Sequence, residues 1–204
     1  MSDVDCRSQA RTEGVTEMNW MHRRICRSER WKQTVNDELL PWALKGVALG
    51  DDPLEIGPGP GVTTDILSQR CARLTCIEID PALAASLTAR TKGRNITVRE
   101  GDATRMPFDG NSFSGVACFT MLHHVPSPVL QDQLLHEAHR VLRSGGWMVG
   151  ADSRSSLLFR LLHINDTMVV CDPANFGSRM EKAGFVDTSV RISPRAFSFR
   201  GRKA

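Results

Sequence analysis

Three alternate glycines, Gly57, Gly59 and Gly61, stand in "LEIGPGPGVTT" between an apolar run and a run with helical spacing. Glycine tolerates positive φ and lets a ligand approach the main chain, while Pro58 and Pro60 fix their own φ and stiffen the turn. Such a loop is shaped for close backbone contact with a ligand. Acidic residues recur around it: Glu55 just before the glycines, Glu78 and Asp80 in "CIEID", and Asp102 in "EGDA". The pattern E-x-G-x-G-x-G is not the G-x-G-x-x-G of dinucleotide-binding turns, nor a P-loop, which needs Lys and Ser/Thr after its last glycine. A carboxylate at the end of a second strand suits a ribose diol. A ring of carboxylates repels a polyphosphate and favours a cationic nucleoside with an amino-acid tail.

The elements that must position these residues are legible from periodicity. Trp20 to Leu44 carries Trp20, Ile25, Trp31, Val35 and Leu39 at helical spacing, which predicts one or two N-terminal helices, with Trp20, Trp31 and Trp42 as their anchors. "DPLEIG" reads as a short buried strand, "VTTDILSQR" as a helix and "RLTCIEID" as a second strand. "PALAASLTAR" opens with a proline at a first helical position and stops before Gly93. "NITVREGDA" is a third strand, and the apolar "FSGVACFTML" a fourth, covered on both faces. In "SPVLQDQLLHEAHRVLRSGG", Ser127 is the cap, Pro128 opens the helix, Val129, Leu130, Leu134, Ala138, Val141 and Leu142 form the apolar stripe, and the glycines end it. "WMVGAD" is the fifth strand. This alternation implies right-handed βαβ units in a parallel, doubly wound α/β sheet, whose ligand sits at the carboxyl ends of the strands where Gly57, Gly59 and Gly61 fall. The rhythm then changes: "SSLLFRLLHI" and "PANFGSRMEKAG" look helical, and "FVDTSVRI" and "RAFSFRGR" are strands paired antiparallel about Ser193 and Pro194.

The 204 residues fit one domain, with 41% hydrophobic and 24% charged residues, and no apolar run approaches the roughly 18–20 residues of a membrane span. The first residues have neither a signal-peptide nor a transit-peptide pattern, so residues 1–17 are expected to form a tail, with Met1 and Met18 both open as the natural start, and the location to be cytoplasmic. Cys6, Cys26, Cys71, Cys76, Cys118 and Cys171 show no paired spacing, which argues against a zinc site or a disulfide framework. The net charge of +3 says nothing of partners. The basic runs "HRRICRSERWK" and "FRGRKA" read as solvated surface. "HEAHR", His136 to Arg140, lacks zinc-protease spacing and reads as structural; no metal site is expected.

The chain resembles the class I S-adenosylmethionine-dependent methyltransferases, in particular the type 11 small-molecule group. "LEIGPGPG", "IEID", "GDATRMPFDGNSFSGV" and "LHHV…HRVLRSGG" carry the likeness, from Asp51 to about Gly150 and more loosely to the C-terminus. It implies a Rossmann-like doubly wound seven-stranded sheet in order 3-2-1-4-5-7-6, strand 7 antiparallel, within one domain over residues 18–204: a helical cap, 18–48, and a core, 49–204. The implied activity is methyl transfer from S-adenosylmethionine, by in-line displacement, to a small-molecule acceptor at oxygen, nitrogen or carbon, leaving S-adenosylhomocysteine. By the same resemblance Glu55 would orient the glycine loop or meet the methionine ammonium, and Gly57, Gly59 and Gly61 would pass under the cofactor. Glu78 would bind the ribose hydroxyls with Ile79 beside it, and Asp80, one step beyond the usual position, would shape the turn. Asp102 would accept from the adenine amino group, and Ala103 would offer its N–H to the ring.

Phe119, Thr120 and Met121 would line the transfer pocket or simply fill the core, with Phe119 also against the cofactor. His123 and His124 border the acceptor side and are the candidate proton acceptors, with His163 and Asp166 as candidates for the acceptor wall. The same motifs also resemble the ribosomal RNA adenine dimethylases. Those enzymes carry Asn-[Leu/Ile]-Pro-[Tyr/Phe] after strand four where this chain has Phe119-Thr120-Met121-Leu122, so a nucleic-acid acceptor is not expected. A cofactor-binding protein without catalysis is the remaining alternative.

Overall fold

The structure is a computed structural model that describes residues 28–155 and 167–204. The expected tail, the first part of the cap with Trp20, the "SSLLFRLLHI" helix after its first residue, His163 and Asp166 lie outside the described residues, as do Cys6 and Cys26. Helix α1 (Glu29–Thr34) starts where the Ser28 hydroxyl accepts the Trp31 N–H, and runs through a π turn (Val35–Leu39) into α2 (Leu40–Ala43). Pro41 explains the π turn: it has no N–H for the Asp37 carbonyl, and its ring crowds that group, so the helix widens.

Strands β1 (Leu54–Ile56), β2 (Leu74–Glu78), β3 (Ile96–Glu100), β4 (Phe113–Phe119) and β5 (Leu142–Ser153) are parallel, while β7 (Ala196–Arg202) runs antiparallel to both β5 and β6 (Val186–Ile192). The order is β3-β2-β1-β4-β5-β7-β6, as expected. Helices α3 (Val62–Leu67), α4 (Pro81–Arg90), α5 (Pro128–Val141) and α6 (Pro173–Lys182) complete the elements that hold the site.

Two apolar layers flank the sheet. Val35, Leu40 and Ala43 of the cap join Leu67, Leu74, Phe119 and Val149 on one face. Leu134, Leu135, Ala138 and Val141 of α5 join Ile56, Phe113, Met148, Phe176, Phe197 and Phe199 on the other. Two arginines fasten the cap to the sheet. Arg191 of β6 lies over the Trp42 ring and donates to the Trp42 and Ala43 carbonyls; Arg200 of β7 lies over Trp147 and donates to the Lys45 carbonyl. Cations placed on the last carbonyls of a helix are where its dipole favours them.

Helix α5 departs from expectation in two details. Val129, expected in the apolar stripe, is 65% exposed, and Gln131 and Leu135 take the buried positions. The helix stops at Val141 rather than at the glycines because Leu142 turns extended and pairs with Phe113, so β5 begins five residues before Trp147. Cys76, Cys118 and Cys171 are buried as thiols, and Cys71 is half-buried. Burial pushes the Cys171 thiol up to about 12, in keeping with apolar packing roles.

Candidate cofactor and acceptor site

The glycine turn joins β1 to α3 at the carboxyl edge of the sheet. Gly57, Gly59 and Gly61 all adopt positive φ, at 63°, 53° and 85°. A Cβ on Gly57 would stand 3.0 Å from the Met121 side chain, and one on Gly61 would stand 2.6 Å from Leu87 Cδ1, but one on Gly59 would meet nothing within 4 Å. The outer glycines are therefore pressed against protein, while the middle one faces open space. All three amides are engaged within the turn: Gly57 N–H donates to the Ile77 carbonyl (2.9 Å), Gly59 N–H to Glu78 Oε2 (2.9 Å) and Gly61 N–H to the Pro58 carbonyl (2.9 Å). A phosphate-binding turn works by aiming such amides at the anion. Here those donors are spent.

Glu55 is 1% exposed at the centre of β1. Its Oε1 accepts from the Thr63 hydroxyl, and its Oε2 accepts from Thr64 (2.6 Å) and from the Cys76 thiol (3.5 Å). Burial holds this carboxyl above its ordinary range, and the hydroxyl and thiol donors oppose that shift. The carboxylate thus ties β1 to the first turn of α3, bracketing the glycines from both sides.

Glu78 ends β2 and is 6% exposed. Besides Gly59, it accepts from the Asp80 N–H through Oε1 (3.0 Å). Burial raises its pKa, against which the Asp80 and Gly59 amides act. Ile79 follows with 40% of its surface exposed, unusual for an isoleucine at a strand end. Asp80 caps α4, accepting from the Ala82 N–H (2.8 Å) and the Leu83 N–H (3.1 Å), which agrees with its expected part in shaping the turn.

Asp102 is exposed beyond β3, where Oδ1 accepts from the Thr104 N–H and hydroxyl, both at 2.8 Å; Ala103 packs partly against the core. Residues 101–112 are a loop pinned to α5. Glu137 accepts from the Met106 N–H (2.7 Å), and Arg140 donates to the Phe108 carbonyl (2.7 Å) and the Met106 carbonyl (3.1 Å). The "HEAHR" segment is structural accordingly, with the His139 ring 5.1 Å from Phe185, and no metal-binding cluster is present among the described residues.

On the other side of the glycines, Phe119 ends β4 at 4% exposure within the cap-side core. Thr120 follows at φ 51°, sparsely populated for a β-branched residue, and Met121 packs at Gly57. His123 is 2% exposed, its N–H donating to Asp152 Oδ2 (2.9 Å) and its Nδ1 lying 2.5 Å from Asp152 Oδ1. The His124 ring is 4.2 Å from that of His123 and is half-buried. The Gln131 side chain donates to the Leu122 and Val169 carbonyls, and the His123 carbonyl accepts the Val169 N–H (2.8 Å).

Residues 54–150 match a family model described as Methyltransferase domain. This stretch is a methyltransferase domain. That domain takes in the glycine turn, Glu78, Asp102 and both histidines. Over 121 residues the chain is 36% identical to protein-L-isoaspartate O-methyltransferase of Roseiflexus castenholzii, covering 58% of this chain and 52% of that one. Over 152 residues it is 29% identical to the ubiquinone biosynthesis O-methyltransferase of Pseudomonas aeruginosa, covering 72% and 62%. The chain therefore spans between half and two thirds of the length of these curated relatives. N-methyltransferase NodS from Bradyrhizobium japonicum, solved with S-adenosyl-L-homocysteine, shares the methyltransferase fold at a TM-score of 0.68 and 20% identity, over 91% of this chain and 93% of that one.

Asp152 went unnoticed in the sequence. Its signal was a lone carboxylate ending the otherwise apolar "WMVGAD", a place where a buried acid needs a partner.

Proposed function

We propose that the chain transfers the methyl group of S-adenosylmethionine to a small-molecule acceptor. The observation that carries this reading is the glycine turn whose three amides are all engaged, with the Glu78 carboxylate beside an open cradle at Gly59. A turn whose glycine amides are already engaged disfavours dinucleotides and nucleoside triphosphates. A carboxylate oxygen has about two acceptor sites. Each Glu78 oxygen gives one to a backbone amide, and the carboxylate keeps acceptor capacity for a ribose hydroxyl.

The remaining residues fit the same group. Exposed Ile79 offers an apolar face to the adenine, Asp102 an acceptor for its amino group, and Ala103 a backbone N–H. Glu55, enclosed by Thr63, Thr64 and Cys76, supports the loop-orienting role over direct contact with the methionine ammonium.

When bound, the cofactor supplies a methyl group already activated by its sulfonium charge. The protein's part is to hold the acceptor in line and exclude water, an effect worth roughly 7–11 kcal/mol when the geometry is right. Thr120 and Met121, at the end of β4 beside Gly57, are placed to form the floor of that pocket. His124, the less buried of the two histidines, would take a proton from an acceptor that has one to lose; His123 is held by Asp152. The Asn-Pro motif that grips an RNA adenine is replaced by Phe119-Thr120-Met121-Leu122, which favours a small acceptor over nucleic acid.

Calorimetric titration with S-adenosylmethionine and S-adenosylhomocysteine, with NADH and ATP as controls, tests the cofactor. Selective micromolar binding of the sulfur nucleosides supports the reading, and preference for NADH or ATP overturns it. Radiolabelled methyl transfer to a panel of small molecules then separates an enzyme from a protein that only binds the cofactor.

A further inference from the structure

Charge is divided across the carboxyl edge of the sheet. The ends of β1, β2 and β3 carry Glu55, Glu78, Asp80 and Asp102. The one acid at the end of β5, Asp152, is buried at 1% exposure against His123, and the rim beyond it carries none: residues 153–155 are Ser153, Arg154 and Ser155, and residues 191–196 are Arg191, Ile192, Ser193, Pro194, Arg195 and Ala196.

Most basic groups of the terminal hairpin have work elsewhere. Arg191 and Arg200 hold the cap, Arg202 pairs with Asp187 (2.7 Å), and Lys203 donates to Asn111 (2.9 Å) and to the Arg140 carbonyl. Arg195 is exposed and has no ion pair among the described residues. Among the described residues, exposed Arg154 donates from its side chain to the Ser193 carbonyl (2.9 Å) through a single guanidinium nitrogen. The Arg154 N–H also donates to the Arg195 carbonyl (2.9 Å), which continues the antiparallel register by one step and sets the two residues opposite each other.

The rim lies within reach of the transfer point. Phe119 pairs with Ala151, and Ser153 with Ala196, so Arg154 and Arg195 stand just beyond the second rung past the end of β4. Strands are about 4.8 Å apart and rise about 3.3 Å per residue. That places the backbone of the rim roughly 8–12 Å from Thr120, within the length of a small organic molecule.

Resting on the methyltransferase reading, we propose that Arg154 and Arg195 form an anion subsite, and that the methyl acceptor is a small molecule bearing a carboxylate or phosphate group. Guanidinium groups match both oxyanions. An acid-free rim opposite an acid-rich cofactor half sorts the two ligands by charge, with the cationic cofactor on one side and the anionic acceptor on the other.

The test titrates protein saturated with S-adenosylhomocysteine with inorganic phosphate and with acetate in separate arms at constant chloride, following the two-dimensional NMR spectrum. Saturable single-site binding in either arm is expected, and the arm that saturates more tightly identifies the anion class. Arg154→Gln and Arg195→Gln, both at exposed positions, should each weaken it about tenfold. Arg99→Gln, on β3, should leave it within about twofold. Saturation by neither anion, or binding that the Arg154 and Arg195 changes leave intact, overturns the proposal. The same titrations without S-adenosylhomocysteine keep the two readings apart: failure of the nucleoside to bind removes the methyltransferase reading, while anion binding and its dependence on Arg154 and Arg195 are scored independently.

Discussion

Gly59→Ala separates the binding role of the glycine turn from its structural role. Gly59 sits at φ 53°, and a Cβ there would meet no atom within 4 Å. The folded protein therefore bears only the left-handed backbone penalty, about 1–2 kcal/mol. In a chain of this size that is roughly 2–8 °C in Tm. The added methyl would instead stand where the cofactor is placed. Crowding a fitted surface by a methyl costs about 1–3 kcal/mol, equivalent to roughly 5- to 150-fold in Kd for S-adenosylhomocysteine. Gly61→Ala is the contrast, since its Cβ would lie 2.6 Å from Leu87 Cδ1 and against the Arg90 guanidinium, so its loss should fall mainly on stability. Differential scanning fluorimetry and calorimetry on the two variants read both quantities. A Gly59→Ala protein that binds S-adenosylhomocysteine within about twofold of the parent would show that nothing passes over the turn, and the assignment of the cradle would fall.

Three further perturbations bear on the same groups. Glu78→Gln keeps the size of the side chain but removes the charge that favours two ribose hydroxyls; S-adenosylhomocysteine affinity should drop about tenfold or more by calorimetry, and an unchanged Kd sinks the ribose assignment. Glu55 is raised above its ordinary value of 4.5 by burial, so its contribution to stability is fully present below that pH and is lost as pH rises through the higher native value. Glu55→Gln should remove this fall, giving a variant whose denaturant stability relative to the parent improves from acid to neutral pH; parallel curves would contradict the buried-acid account. Asp152→Ala leaves the His123 N–H and Nδ1 and the Ser153 N–H without their shared acceptor. A loss of about 3–5 kcal/mol in urea unfolding is expected, and a loss below about 1 kcal/mol would mean that the pair is incidental.

The strands, the terminal antiparallel hairpin and the glycine turn are legible because local signals coincide there: apolar strands, prolines at first helical positions, and acids at strand ends; the order of the strands follows only from the family resemblance. The partners of those acids are not legible. That Glu55 is enclosed by Thr63 and Thr64 follows from where α3 begins, and that Glu78 holds the Gly59 amide depends on two segments nineteen residues apart meeting in space. The end of α5 was misjudged for a related reason. Gly145 and Gly146 looked like a helix stop, but pairing of Leu142 with Phe113 ended the helix first, a tertiary contact that no local residue announces. Val129 was assigned to the stripe from its type, although it falls in the first turn, where the helix leaves the core.

The two halves of the site are built by different means, with consequences for how each can vary. The cofactor half is fixed mostly through main chain: positive-φ glycines, amides donating to Ile77, Glu78 and Pro58, and a carboxylate gripping the first turn of α3. Few substitutions preserve such a construction, and the stretch matching the methyltransferase domain, residues 54–150, contains all of it. The proposed acceptor half is held by side chains from separate segments: Asp152 near the end of β5 against His123 after β4, Gln131 of α5 against the Leu122 and Val169 carbonyls, and Arg154 against the β6–β7 turn. Asp152, Val169 and Arg154 all lie beyond residue 150. Side chains can be exchanged without moving the main chain that carries the glycine turn. On the proposed assignment, acceptor preference can therefore change on this scaffold while the cofactor half stays as it is, and charge on the far rim would inform on the acceptor where the glycine turn does not.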